Sequence, residues 1–284
     1  MPEPSVTIVQ AENLSWLRKH RGKPYGLIYI DPPFNTGRTQ RLRRRRSTRE
    51  EGGAHLGFGG RSYSSELGEA RSFGDRFEDY IEFLRVRLEA ALRHLAPDGS
   101  LFVHVDPRES HYVKVMLDGL LGRDAFMNEI VWAYDYGGRS RRRWSSKHDV
   151  ILWYAADPGN YCYDYDAIDR VPYMAPKLVT PEKAERGKTP TDVWWQTIVS
   201  PTGKERTGYP TQKPLAVLER IVRVHSRQGD RVLDFFAGSG TTGEAALRWG
   251  RSAVLVDENP EAVAVMRERL RGCGGRVRVR RARG

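Results

Sequence analysis

The segment Asp234-Phe-Phe-Ala-Gly-Ser-Gly-Thr-Thr242 constrains the fold of this chain more than any other part of the sequence. An apolar run leads into it and a helical pattern follows it, so the segment predicts a turn between a strand and a helix. Gly238 and Gly240 allow that turn to be tight. A second apolar run, at 252–256, ends at Asp257. The order of strand, glycine turn, helix, strand and acid predicts one unit of an open α/β sheet.

The remainder of the chain alternates in the same way. Short apolar runs predict strands at 26–30, 101–105, 129–134, 149–154, 231–235 and 252–256. Helical spacing of apolar residues predicts helices at 77–95, 109–121, 215–225, 241–249 and 260–270. We therefore predict an α/β fold with a mostly parallel twisted sheet, helices on both faces and a single domain over residues 1–284.

Two stretches interrupt this alternation. Residues 37–75 are rich in Arg, Gly, Ser and Glu without a clear period, which predicts a long basic loop over the site. Residues 157–208 are rich in Pro, Tyr, Asp and Trp, and we interpret them as an inserted recognition region.

The glycine turn has the chemistry of an anion site. The helix after it presents free N–H groups and the positive end of its dipole, which would suit the carboxylate of an amino acid. Asp257 can accept hydrogen bonds from both hydroxyl groups of a ribose. No Gly-Lys-Ser or Gly-Lys-Thr follows the glycines, so this is not a phosphate-binding Walker loop. The alternative is a turn that only caps a helix, beside an acidic surface residue.

A second motif, Asp31-Pro32-Pro33-Phe34, follows the predicted strand at 26–30. An amino group on an aromatic ring is a poor nucleophile, because its lone pair is delocalised into the ring. Asp31 and the Pro32 carbonyl can each accept one of its hydrogens, and the prolines hold both acceptors in place. Phe34 offers a flat face on which a base can stack. The motif predicts catalysis on such an amino group, with a simple turn as the alternative.

The charge of the chain favours a polyanionic partner. Lys and Arg number 47 against 36 Asp and Glu, a net charge of +11. The excess is concentrated at 38–49, 139–147 and 276–283. Any one of these runs could be solvated surface, but three together favour nucleic acid.

Other features exclude several classes of protein. No apolar run approaches the ~20 residues of a membrane span. Two cysteines, Cys162 and Cys273, form no disulfide framework, and the start lacks a signal-peptide pattern, so we expect a reducing, cytoplasmic setting. His104, His111 and His148 are too scattered to predict a metal site.

Together the two motifs resemble those of the permuted amino-methyltransferases of bacterial restriction-modification and related systems, in which the catalytic motif precedes the cofactor motif. The likeness extends to Tyr209-Pro-Thr-Gln-Lys213-Pro and to residues 101–106, 111–114 and 128–132. It implies a Rossmann-like methyltransferase fold and S-adenosylmethionine as cofactor. Double-stranded DNA, a second copy of the chain and a cognate restriction endonuclease are the partners that it suggests, with neither membrane nor metal.

The resemblance also implies roles for individual residues. Catalysis would fall to Asp31, Pro32, Pro33 and Phe34, the last where relatives more often have Tyr. Glu12 would bind the cofactor adenine, although most relatives carry Gly-Asp where this chain has Ala-Glu. The residues predicted to bind the cofactor are Glu12, Asp31, Thr211, Gln212, Lys213, Asp234, Phe236, Gly238, Ser239, Gly240, Thr241, Thr242 and Asp257.

Asp31 favours adenine N6 as the methylated atom, because relatives that act on cytosine N4 more often carry Ser there. Methylation at cytosine C5 needs a nucleophilic thiol, and neither cysteine lies in a suitable motif. RNA and protein glutamine methyltransferases share a Pro-Pro-aromatic turn but usually place the cofactor motif first. A DNA-binding module without activity is the remaining alternative, and the intact motifs argue against it.

Overall fold

The computed structural model describes residues 3–35, 79–200 and 203–281, and of residues 36–78 the backbone of five short strands. In chain order the strands are β1 (Ser5–Gln10), β2 (Tyr25–Ile30), β3 (Arg38–Leu42), β4 (Arg45–Arg49), β5 (His55–Leu56), β6 (Ser62–Leu67), β7 (Arg71–Asp75), β8 (Leu95–Val105), β9 (Phe126–Ala133), β10 (His148–Ala155), β11 (Val193–Trp195), β12 (Arg231–Asp234), β13 (Ser252–Asp257) and β14 (Arg276–Arg281). The helices are α1 (Asn13–Lys19), α2 (Tyr80–Leu92), α3 (Ser110–Leu121), α4 (Pro181–Arg186), α5 (Leu215–Val224), α6 (Thr241–Arg248) and α7 (Pro260–Arg269).

Nine strands form one sheet in the order β11-β9-β10-β8-β2-β12-β13-β1-β14. Every neighbouring pair is parallel except β8 with β10 and β9 with β10. This confirms the predicted mostly parallel α/β fold. None of the described helices combines the length and apolar character that a membrane span requires.

The sheet is covered on both faces, as predicted. Alternate residues of β2 show the division: Leu27 and Tyr29 pack with α5, α6 and α7, whereas Ile28 and Ile30 pack with α1, α2 and α3. All four side chains are buried. The near-continuous apolar strands follow from this double burial, because a strand covered on both faces has no solvent side.

The centre of the sheet contains a topological switch point. β2 and β12 are adjacent and parallel, with Val232 opposite Leu27, although about two hundred residues separate them along the chain. From β2 the chain passes through α2 to β8 on one side, and from β12 through α6 to β13 on the other. Loops after the two strands therefore diverge and leave a crevice at their carboxyl ends, where ligands bind in folds of this kind.

The structure adds elements that the sequence patterns do not predict. The basic tail forms β14, an edge strand parallel to β1. The helix predicted at 77–95 ends at Leu92, and β8 begins at Leu95, six residues before the strand predicted at 101–105. β11, inside the stretch 157–208, joins the main sheet beside β9. The stretch 37–75, predicted as a loop, contains β3 to β7, which pair in two small antiparallel sheets; its intervening residues lie outside the described ones.

Candidate active site

A cleft of about 360 Å³ lies at the switch point. The residues that line it from the two predicted motifs and their neighbours are Glu12, Asp31, Pro32, Pro33, Phe34, Tyr209, Pro210, Thr211, Gln212, Lys213, Asp234, Phe236, Ala237, Gly238, Ser239, Thr241, Thr242 and Asp257. All the predicted site residues except Gly240 are among them. The fold thus brings the Asp31 motif and the glycine turn, which are about two hundred residues apart in the sequence, to the same cleft.

Asp31 forms an ion pair with Lys213. The Lys213 Nζ donates to both carboxylate oxygens at 2.7 Å, and it lies 4.5 Å from the centre of the Phe34 ring. The lysine side chain is 8% exposed and the Asp31 side chain 18% exposed. An ammonium at that distance over a ring face is attracted by the ring quadrupole. Lys213 therefore orients both the carboxylate and the aromatic ring of the catalytic motif, a contact that its position 182 residues away conceals in the sequence.

The glycine turn is built as its sequence predicts. Gly238 and Gly240 have positive φ angles of 47° and 77°. A Cβ on Gly240 would lie 2.7 Å from the Cγ of Met266, so neither the backbone conformation nor the space admits a side chain. Gly240 is the N-cap of α6, and its N–H donates to the Ala237 carbonyl at 2.7 Å. The N-terminus of α6 consequently faces the cleft with the positive end of its dipole.

Asp234 stabilises this turn with two hydrogen bonds. Its Oδ1 accepts the Phe236 N–H at 3.0 Å, and its Oδ2 accepts the Thr242 hydroxyl at 2.6 Å. Burial raises its pKa to about 7. Both oxygens thus serve the strand-to-helix turn, although the residue also lines the cleft.

Asp257 fixes the turn from the neighbouring strand. Its Oδ2 accepts the Gly238 N–H and its Oδ1 accepts the Asn259 N–H, both at 2.9 Å. Burial raises its pKa to about 6. Each carboxylate oxygen can accept a second hydrogen bond, so the two bonds leave acceptor capacity toward the cleft.

Glu12 lies in the wall of the cleft as the N-cap of α1. Its oxygens accept the N–H groups of Leu14 at 3.0 Å and Ser15 at 2.7 Å, and one of them also pairs with Arg87 at 2.9 Å. Burial raises its pKa, but these hydrogen bonds and the charge of Arg87 outweigh burial, so the pKa of Glu12 is below its ordinary value.

This wall contains three further residues that the sequence pattern does not predict: Asn13, Phe83 and Arg87. Arg87 also donates to the Asn13 side chain at 2.7 Å, and Asn13 donates to the Phe235 carbonyl at 2.9 Å. The guanidinium carbon of Arg87 lies 3.8 Å from the centre of the Phe83 ring. Phe83 in turn lies 6.0 Å from Phe236. In the sequence, Phe83 and Arg87 cannot be distinguished from other residues on one face of a helix. Only the packing of α2 against the glycine turn shows that they lie beside the cleft.

The remaining predicted residues shape the loop that carries Lys213. The Gln212 Oε1 accepts both the N–H and the hydroxyl of Thr207 at 2.8 Å, and its amide donates to the Glu205 carbonyl at 2.9 Å. Thr211 has a positive φ of 57°. The Thr241 hydroxyl donates to the Lys213 carbonyl at 3.3 Å and lies 3.1 Å from the Ser239 hydroxyl. The loop is therefore joined directly to the start of α6.

A buried polar chain lies behind Phe34. The Tyr29 hydroxyl lies 2.8 Å from His104 Nδ1, His104 Nε2 lies 3.2 Å from Asp149 Oδ2, and the Tyr134 hydroxyl donates to Asp149 Oδ1 at 3.0 Å. Burial acts to raise the pKa of Asp149, but the interactions with His104, Lys213 and Tyr134 together outweigh burial and hold that pKa below the usual value. Among the described residues, no group of three or more His, Cys, Asp or Glu side chains could hold a metal ion.

Comparison with known proteins agrees with this geometry. The family model described as DNA methylase, of the N6/N4 methyltransferase type, matches residues 25–268. The chain is 34% identical to the type II methyltransferase M.HpaI of Haemophilus parainfluenzae over 194 residues, which cover 68% of this chain but only 60% of M.HpaI. It is 27% identical to the DNA adenine methyltransferase YhdJ of Escherichia coli K12 over 274 residues, covering 93% and 82% of the two chains.

Among solved structures, the M1.HpyAVI complex with SAM superposes with a TM-score of 0.61 at 19% identity, covering 93% of this chain and 98% of the other. That likeness shows a shared Rossmann-like methyltransferase fold. With the family match spanning most of the sequence, the chain belongs to the N6/N4 DNA methylase family.

Proposed function

We propose that this protein transfers a methyl group from S-adenosylmethionine to the exocyclic N6 amino group of adenine in double-stranded DNA. The observation that carries the proposal is the meeting of the Asp31 motif and the glycine turn across one cleft, from the ends of the adjacent strands β2 and β12. Groups suited to an amino acid carboxylate and groups suited to an aromatic amino group line the same space.

The residues of the cleft fit the cofactor. Its volume lies within the range of about 300–1,000 Å³ that small-molecule sites have. The N-terminus of α6 would hold the methionine carboxylate, Asp257 the ribose hydroxyls, and the apolar surface of Phe83 and Phe236 the adenine. Glu12 and Arg87 would border that adenine. When bound, S-adenosylmethionine supplies an electrophilic methyl group on a positively charged sulfur.

The contribution of the protein to the reaction is orientation. Asp31 accepts one hydrogen of the target amino group and the Pro32 carbonyl accepts the other, which draws the lone pair back onto the nitrogen. A carboxylate has about four acceptor positions, so Asp31 can keep its bond to Lys213 while it accepts the amino hydrogen. With the cofactor bound, formation of the N–C bond would break the bond between the methyl carbon and sulfur and release S-adenosylhomocysteine. The nitrogen would lose one proton, and Asp31 is placed to take it. Phe34 supports the base by stacking.

The preference for adenine is supported by Asp31 itself, where relatives that act on cytosine N4 more often carry Ser. A named DNA adenine methyltransferase, YhdJ, also matches 93% of this chain. We further propose that residues 157–208 recognise the target sequence and that the basic stretch 37–75 is a loop over the site. A homodimer, a cognate restriction endonuclease and a cytoplasmic location complete the proposal.

Product analysis tests the function directly. The purified protein would be incubated with unmethylated genomic DNA and S-adenosylmethionine labelled in its methyl group, and the DNA digested to nucleosides for mass spectrometry. We expect labelled N6-methyladenine. Labelled N4-methylcytosine would overturn the base assignment, and DNA without label would overturn the DNA substrate.

Asp31→Ala provides the matched test of mechanism. We expect it to abolish methyl transfer, because Asp31 acts on the amino group. Calorimetry should show that cofactor binding is kept, because the other residues predicted to bind the cofactor are unchanged. Asp124→Asn, an exposed carboxylate after α3, serves as the control and should keep full activity. Undiminished turnover by Asp31→Ala would remove Asp31 from the mechanism.

A further inference from the structure

We propose that Trp144, in the loop between β9 and β10, inserts into the DNA duplex and fills the space left by the base that turns out toward Asp31. The inference rests on the proposed function, because it concerns how a base inside a duplex reaches the cleft. Enzymes that act on a base must take it out of the stack.

The fold places this loop beside the active site. β10 runs antiparallel to β8, so its first residues lie at the edge where the parallel strands end. In the sheet, Ile30 lies opposite Val103, and Val103 lies opposite Leu152. Because β10 runs in the opposite direction and begins at His148, its first residues extend past the level of Asp31 toward the loop that precedes them. Strands in a sheet are about 4.8 Å apart, which puts β10 about 10 Å to the side of β2. The loop thus projects next to the entrance of the cleft.

Internal hydrogen bonds give the loop a defined shape. The Tyr134 N–H donates to the Lys147 carbonyl at 2.9 Å and continues the pairing of β9 with β10. Nearer the tip, the Ser140 N–H donates to the Ser145 hydroxyl at 2.8 Å, and the Arg142 N–H donates to the Ser140 hydroxyl at 3.2 Å. The tip is therefore a folded turn whose backbone holds Trp144 at the end of the loop.

The base of the loop is anchored to the catalytic pocket. Tyr134 bonds to Asp149, which bonds to His104, which bonds to Tyr29 two residues before Asp31. His104 is fully buried, and Tyr29 and Asp149 nearly so. Because these buried polar groups bond to one another, movement of the loop base would break bonds that water could not replace easily.

The tip itself has the chemistry of a wedge for DNA. Trp144 is 98% exposed, and the three residues before it, Arg141, Arg142 and Arg143, are exposed as well. Within the described part of the chain, no carboxylate pairs with these arginines. A flat indole among cations suits stacked base pairs flanked by phosphates, since side chains that enter a duplex are apolar and the phosphates bind arginine.

The test compares Trp144→Ala, Trp144→Phe and the wild type on two short duplexes that contain the methylated site, located beforehand by sequencing DNA that the wild type has methylated. In one duplex the target base is paired, and in the other an abasic nucleotide lies opposite it. Methyl transfer by the wild type is measured first, so that failure of the proposed function is seen separately. Val115→Ala, which removes a 70% exposed apolar side chain from α3, is the control.

We expect Trp144→Ala to lower kcat/KM about tenfold to a hundredfold on the paired duplex, by analogy with the loss of one stacked aromatic contact. On the abasic duplex, where the target base is already unpaired, the variant should come within about threefold of the wild type. Trp144→Phe should keep most of the activity on both. An unchanged rate for Trp144→Ala on the paired duplex, or an equal loss on both duplexes with unchanged thermal stability, would overturn the proposal.

Discussion

The ion pair between Lys213 and Asp31 makes a quantitative prediction about the stability of the active site. At 2.7 Å and an effective dielectric constant of about 20, two unit charges attract each other by about 6 kcal/mol. The Asp31 side chain is 18% exposed, so solvent in the cleft screens part of this attraction. We therefore expect a net coupling energy of about 3 kcal/mol between the two side chains.

A double-mutant cycle measures that coupling. Urea unfolding at pH 7 would be followed for the wild type, Asp31→Asn, Lys213→Gln and the double variant. Each single change leaves one charge without its partner in a largely buried place, and should lower the free energy of unfolding by about 3 kcal/mol. The double variant should lose much less than the sum of the two, because neither charge then remains.

Two results would refute this reasoning. Additive losses, with a coupling energy below about 0.5 kcal/mol, would mean that water in the cleft screens the pair as it does at a surface. Single variants as stable as the wild type would mean that the cleft does not hold the two charges together. Methyl transfer by Lys213→Gln should also fall, because Asp31 and Phe34 both lose the contact that orients them.

Two further predictions concern the glycine turn. Gly240→Ala should lower the thermal midpoint and weaken cofactor binding at least about tenfold, because φ is +77° and the new Cβ would lie 2.7 Å from the Cγ of Met266. Normal cofactor binding by calorimetry would contradict the role of the turn as an anion site. Burial raises the folded-state pKa of Asp234 to about 7. Between about pH 4 and 7 the folded protein therefore holds a proton on Asp234 that the unfolded chain has released. The stability that this bound proton contributes is lost as the pH rises through that range. The stability of the wild type relative to Asp234→Asn should fall over that range, and a pH-independent difference in urea unfolding would refute it.

The glycine turn and the position of Asp31 could be predicted from local pattern. The glycine turn depends on residues only a few positions apart, and both the positive φ angles and the helix start follow from Gly238 and Gly240. The position of Asp31 at the end of a buried strand follows in the same way from the apolar run before it and the prolines after it.

Contacts between distant segments were the part that local pattern could not supply. Arg87 and Phe83 read as one face of an amphipathic helix, and their place beside Glu12 depends on how α2 packs. β14 illustrates the same limit: a run of alternating Arg and Val suggests a charged tail, and only its pairing with β1 makes it an edge strand.

The sequence by itself determined most of the individual helices, strands and turns, because turns, helix caps and strand ends depend on chemistry within a few residues of the chain. It also determined the chemistry of the two motifs. Only the tertiary structure decided that β2 and β12 are neighbours, that Lys213 reaches Asp31, and that the loop carrying Trp144 leaves the sheet beside the cleft. Strand order, side-chain pairing across two hundred residues and solvent exposure depend on packing of the whole sheet, and no local pattern encodes them.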